Sequence, residues 1–213
     1  MDNFHYISSE VLRLETVHEI ISHSKLIALS EEAKVNIQKC CDYLDKKARI
    51  NEKLIYGSNT SFGFLCDAKI PNEKVSKLQE NFIKSHACGS GEEVPNFIIK
   101  LMLLLKIQSL SYGHSGVQIQ TVERLIAFYN HEIFPVIYTQ KSHDASGDLA
   151  PLAHLALPLL GEGEVYFEGK KVPTSVVMRH FSWEPIVLQC KEGLALLNGT
   201  QFTSAYGVHI LLK

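Results

Sequence analysis

Apolar residues recur at three- and four-residue spacing along most of this chain, the period of a helix with one buried face. Ser8-Ser9-Glu10 opens one such stretch, carrying Val11, Leu14, Val17 and Ile21, and Ser30-Glu31-Glu32 opens a second with Ala33, Ile37, Cys41, Leu44 and Ala48. A third follows Asn72 with Val75, Leu78, Phe82 and Ile83 and closes on Ser85-His86-Ala87-Cys88-Gly89. From Pro95 through Ile98, Met102, Leu105 and Ile107 to Gly113 the chain is apolar nearly all round, which belongs in the interior of a bundle. Ser115 is the expected N-cap of a helix from Val117 to Phe134, ended by Pro135. Asp148, an N-cap residue type with Pro151 in the first turn behind it, opens a further apolar helix that Gly161-Glu162-Gly163 breaks. Val165 to Val172 reads as a hairpin around Glu168-Gly169, a short helix is expected near Val176 to Phe181, and Thr200 is expected to cap a last helix reaching Leu212. The pattern predicts a mainly α protein with a small β-hairpin near 164–172.

Composition adds limits. With 213 residues and 46% hydrophobic character the chain can bury a sizeable core. Lys plus Arg number 21 against 23 Asp plus Glu, scattered along the chain, so no nucleic-acid groove or anionic membrane surface is expected as a partner. The start lacks a basic segment followed by an apolar run, and no apolar run is long enough to span a bilayer, so a cytoplasmic protein is expected. Cys40, Cys41, Cys66, Cys88 and Cys190 include an adjacent pair and lack zinc-site spacing; they read as reduced thiols packed as small apolar groups, with no metal site.

Several candidate motifs fail on geometry. His18 and His23 are five apart, so on a helix they diverge instead of sharing a zinc ion. Gly113-His114-Ser115-Gly116 misses the serine-hydrolase elbow by one residue and lacks a preceding strand. Two stretches are more informative. Leu54 to Gly63 is an extended piece entering a Gly-, Asn- and Ser-rich loop with Tyr56 at its base. Ala145-Ser146-Gly147 precedes the helix at Asp148 and so sits at the positive end of a helix dipole, where an electron-accepting group is favoured. Taken alone, each also fits an ordinary loop, and His86 alone fits a residue capping a helix C-terminus.

Four separated stretches together resemble the histidine and aromatic amino-acid ammonia-lyases: Tyr56-Gly57-Ser58-Asn59-Thr60-Ser61-Phe62-Gly63, Leu78-Gln79-Glu80-Asn81 through Ser85-His86-Ala87, Ala145-Ser146-Gly147-Asp148-Leu149-Ala150-Pro151-Leu152, and Lys191 to Gln201. The resemblance implies the aspartase/fumarase-like fold, with a head region over about 1–113 and the start of the central long-helix bundle over about 114–213. It further implies that Ala145-Ser146-Gly147 cyclises to a self-derived 5-methylidene-imidazol-4-one (MIO), with no external cofactor. Tyr56 then acts as base or proton shuttle, Asn198 hydrogen-bonds the prosthetic group, and His86 lines the substrate pocket. Ser85-His86-Ala87 resembles the histidine-specific branch, whose reaction converts L-histidine to trans-urocanate and ammonia; the tyrosine and phenylalanine branch, and a non-catalytic piece that keeps the fold, stand as alternatives. Family members form homotetramers and continue into long helices that are not among these residues. Where the family pattern has glycine, this chain has Ser61, Lys141 and Asp144, all bordering the expected site.

Overall fold

Helices dominate the computed structural model, which describes residues 3–50, 71–140 and 146–213. In chain order the elements are β1 (Phe4–Ile7), α1 (Leu14–Ser22), β2 (Leu26–Leu29), α2 (Glu31–Ile50), α3 (Val75–His86), β3 (Ser90–Glu93), α4 (Asn96–Ser111), α5 (Ile119–Asn130), β4 (Phe134–Pro135), β5 (Tyr138–Gln140), α6 (Leu149–Ala156), β6 (Glu164–Phe167), β7 (Lys170–Pro173), α7 (Thr174–His180), α8 (Glu192–Leu197) and α9 (Gln201–Leu211).

The core forms around α4. Ile98, Met102, Leu103, Leu104 and Ile107 have no exposed surface, and they point to different sides of the helix. An apolar side chain on every side needs neighbours on every side, and α2, α5 and α9 supply them. Each such side chain contributes about 1.5–3 kcal/mol on burial. Two of the polar residues buried on this helix make long-range bonds. The Gln108 amide donates to the carbonyls of Ser8 and Glu10 at 3.0 and 3.2 Å, and Lys106 reaches towards α8.

The strands are short. β1 and β2 pair in parallel across α1, with Phe4 opposite Leu26. β3 pairs antiparallel with β5, and β4, β6 and β7 form a second antiparallel sheet. The β6–β7 hairpin turns at Glu168 and Gly169, both left-handed at φ 50° and 74°, which matches the twist of the paired strands. The expected hairpin is therefore present. The β3–β5 pair has a further consequence: it fixes the chain just after His86 beside the chain just before residue 141.

Elsewhere the structure departs from the sequence reading. The first helix begins at Leu14, not at Ser8, and Val11 is 80% exposed, because Gln108 holds the carbonyls of Ser8 and Glu10 outside the helix. The helix expected over Val117 to Phe134 runs only from Ile119 to Asn130, with Gln118 and not Ser115 at its N-cap; Phe134 and Pro135 are strand. Strands β1 to β5 and helix α8 were not foreseen, being too short for periodicity to register. Cys41 is a buried thiol, pushed up to about 11 mainly by burial, whereas Cys88 is exposed instead of packed. Cys66 and the Leu54–Gly63 loop lie outside the described residues. No helix among the described residues is long and apolar enough to cross a membrane.

Gly113 closes α4 in the left-handed region at φ 72°, and a Cβ there would lie 2.6 Å from the Asn36 backbone on α2. Gly113→Ala is expected to lower the unfolding free energy by about 1–3 kcal/mol. A urea midpoint equal to that of the parent protein would contradict the α2–α4 contact.

Candidate active site

Asn198 sits at the C-cap of α8, and three buried polar side chains hold that six-residue helix. Glu192, with no exposed surface, receives four hydrogen bonds: Oε1 accepts from the Gln118 backbone N–H (2.9 Å) and Thr121 Oγ1 (2.7 Å), and Oε2 from Gln118 Nε2 and the Gln189 backbone N–H (both 2.7 Å). Its carboxylate thus serves the N-terminus of α5, a role expected of Ser115. On α3, the buried Gln79 accepts from the Gly193 N–H through Oε1 at 2.9 Å. Gly193 is needed there because a Cβ would lie 2.7 Å from the Gln79 carbonyl oxygen. From α4, Lys106 Nζ donates to the carbonyls of Ala195 (2.7 Å) and Asn198 (3.0 Å) at the other end of α8. Lys106 is 1% exposed, and this burial pushes its amine down to about 7. The neutral amine still carries two N–H groups, enough for both carbonyls.

Ser146 and Gly147 lie immediately before α6, whose N-cap position is Asp148. Ser146 Oγ accepts from the Asp148 N–H at 3.2 Å, and Gly147 is left-handed at φ 71°, a tight turn that suits small residues. Asp148 was expected to cap its own helix; no side-chain cap bond forms there. Its buried carboxylate instead accepts from the Thr203 N–H (3.0 Å) and Thr203 Oγ1 (2.8 Å) in the first turn of α9. This gives α9 the acceptor that Thr200 was expected to supply and does not. The bond also ties the Ser146–Gly147 turn to the segment that begins with Asn198.

His86 ends α3, where its Nδ1 donates to the Phe82 carbonyl at 2.7 Å. That bond assigns the proton of a neutral ring to Nδ1 and makes Nε2 the acceptor atom. Three residues on, the Gly89 N–H donates to Nε2 of His154 on α6 at 3.0 Å, and burial holds the His154 ring below its ordinary 6.5. The helices α3, α6 and α8, which carry His86, the Ser146–Gly147 turn and Asn198, all pack against one another. The helices that carry or directly adjoin three of the expected regions are therefore neighbours. Tyr56 and Ala145, with Ser61, Lys141 and Asp144, lie outside the described residues. Among the described residues no group of His, Cys, Asp and Glu could hold a metal ion. Sequence reasoning missed Gln79, Lys106, His154, Glu192 and Thr203. The clearest available signal was Lys106, a lysine inside a helix apolar on every side.

Fold and site together define a helical protein whose candidate residues arise from separate elements that pack on one another. Residues 12–213 match the aromatic amino acid lyase family, and the chain belongs to that family. It is 43% identical over its whole length to the histidine ammonia-lyase of Halalkalibacterium halodurans, of which it covers 42%. Among solved structures, the histidine ammonia-lyase of Trypanosoma cruzi superposes with a TM-score of 0.86 at 34% identity, over 98% of this chain and 40% of that one. A tyrosine aminomutase from Streptomyces globisporus gives 0.88 at 31% identity, over 97% and 38%. The chain thus spans about two fifths of the length of the curated relatives it matches.

Two outcomes follow. Glu192→Gln leaves one acceptor oxygen and sets an amide NH2 against N–H donors, so the unfolding free energy should fall by about 2–3 kcal/mol; equal denaturation midpoints would contradict the four-bond arrangement. His154 is neutral when folded and takes up a proton more readily when unfolded. Its contribution is complete above pH 6.5 and is lost as the pH falls through the lower folded value. Over that interval the urea midpoint should fall more steeply for the parent protein than for His154→Gln, and parallel profiles would contradict this.

Proposed function

We propose that this chain is the N-terminal part of a histidine ammonia-lyase, which eliminates ammonia from L-histidine to give trans-urocanate. The observation that carries the reading is the mutual packing of α3, α6 and α8, the elements bearing His86, Ser146–Gly147 and Asn198. The identity of 43% to a histidine ammonia-lyase over the whole chain supports the choice of amino acid.

The residues present suit cyclisation of Ala145-Ser146-Gly147 to the MIO group. Gly147 holds a left-handed turn without a side chain in the way, and Ser146 supplies the β-hydroxyl that must leave as water. When formed, the group supplies an electrophile that draws electron density from the substrate, chemistry that unmodified side chains do poorly. The chain's own residues do the rest. The N-terminus of α6 favours negative charge developing beside it. Asn198 donates a hydrogen bond to that charge from a backbone held by α8. Tyr56 removes the β-proton; its phenol, ordinarily near pKa 10, needs close placement to act as a base. His86, with Nε2 as acceptor, receives the imidazole N–H of the substrate. In balance, the α-carbon–nitrogen and β-carbon–hydrogen bonds break, a carbon–carbon double bond forms, and ammonia and a proton leave. As in the family, a homotetramer in the cytoplasm is the expected assembly.

The test is the intact mass of the full-length protein together with its reaction with L-histidine. Cyclisation removes two waters, so a mass about 36 Da below that of the plain sequence, confined to the peptide containing 145–147, is expected with release of ammonia and urocanate. An unmodified mass with no product from histidine would overturn the proposal.

A further inference from the structure

We infer that Lys106 is a positioning residue for Asn198: by holding the carbonyls of Ala195 and Asn198 from within the core, it sets the direction in which the Asn198 amide leaves α8. The inference rests on the role given to Asn198 in the proposed function.

The geometry is specific. Asn198 has both backbone groups engaged, its N–H donating to the Leu194 carbonyl at 2.8 Å and its carbonyl accepting from Lys106 Nζ at 3.0 Å. Beyond it the chain turns at once through Gly199, at φ 150°. With the backbone tied on both sides, the exposed Asn198 side chain retains little freedom beyond its own rotamers. The lysine rises from α4, a helix with most of its residues buried in the core, so its anchor is rigid. Among the described residues, both of its hydrogen-bond partners are backbone carbonyls at the end of α8.

A purely space-filling role does not account for this residue. Lysine is almost never fully buried without a charged partner, and methionine fills the same volume without desolvating an amine. What methionine lacks is an N–H to satisfy two carbonyls that the end of a helix leaves without intrahelical partners. The other two clamps on α8, Glu192 and Gln79, hold its beginning; Lys106 alone of the three touches the residue proposed to meet the reacting group.

The test substitutes Lys106→Met in the full-length protein. Amide exchange in the 198–203 peptide should quicken at least about tenfold while that of α4 stays unchanged. The kcat for histidine should fall about 100-fold with KM within about threefold, and the mass deficit at 145–147 should persist. Lys106→Met combined with Asn198→Ala should be no slower than Asn198→Ala alone, since the lysine acts through the asparagine. Unchanged exchange at 198–203, or rate losses that multiply in the double variant, would overturn the inference. If the parent protein shows neither mass deficit nor ammonia release, the proposed function fails, and the exchange measurement still decides whether Lys106 holds Asn198. Should Lys106→Met not fold, Lys106→Gln, which keeps a nitrogen donor on a shorter arm, is read by the same measurements.

Discussion

Glu192 carries its carboxylate inside the protein, where it accepts two hydrogen bonds at each oxygen, from Gln118 at the N-cap of α5, Thr121 in its first turn and Gln189 before α8. A buried carboxylate without such partners would cost several kcal/mol. Once satisfied, it fixes the start of a six-residue helix that is too short to be stable by itself. Gln79 then fixes the next peptide group and Lys106 the last ones. The helix is thus held at both ends by side chains from α3 and α4 and through α5, and Asn198 is presented on a support built almost wholly from the interior.

The same device recurs at α9, where Asp148 supplies the acceptor for the first turn. In both cases the carboxylate comes from a residue distant in sequence, and in both it joins an element next to a candidate site residue to another helix. Asp148 also adjoins the Ser146–Gly147 turn, so one bond orients α9 and restrains that turn. Buried polar networks of this kind are costly if half satisfied and specific if complete. Both networks adjoin elements that carry candidate site residues, Asn198 at the end of α8 and Ser146–Gly147 before α6.

How much of this was legible in the sequence follows from the range of each interaction. Helices α2, α3 and α4 were readable because an apolar period is a local signal, and Ser30 caps α2 as its type suggests, accepting from the Ala33 N–H. The Glu168–Gly169 turn was readable for the same reason. Ser115 and Thr200 were plausible caps whose places were taken by Glu192 and Asp148, and nothing local announces a cap that arrives from more than 50 residues away. Helix α8 was invisible because its stability is tertiary. The small-residue stretch at 145–147 was legible as a loop before a helix, but the roles expected of it and of Asn198 came from a family resemblance, since residue types alone fit an ordinary loop equally well. Lys106 was open to notice, because a lysine on a helix with no polar face has to find its partners inside.

The account stands on Asn198 and the 145–147 turn meeting at one place. A crystal structure of the full-length protein measures this directly. The account predicts the Asn198 side-chain amide within about 3 Å of the group derived from Ala145-Ser146-Gly147, with Tyr56 on the substrate side of it. An Asn198 side chain directed away from residues 145–147, with no hydrogen bond between them, would contradict it.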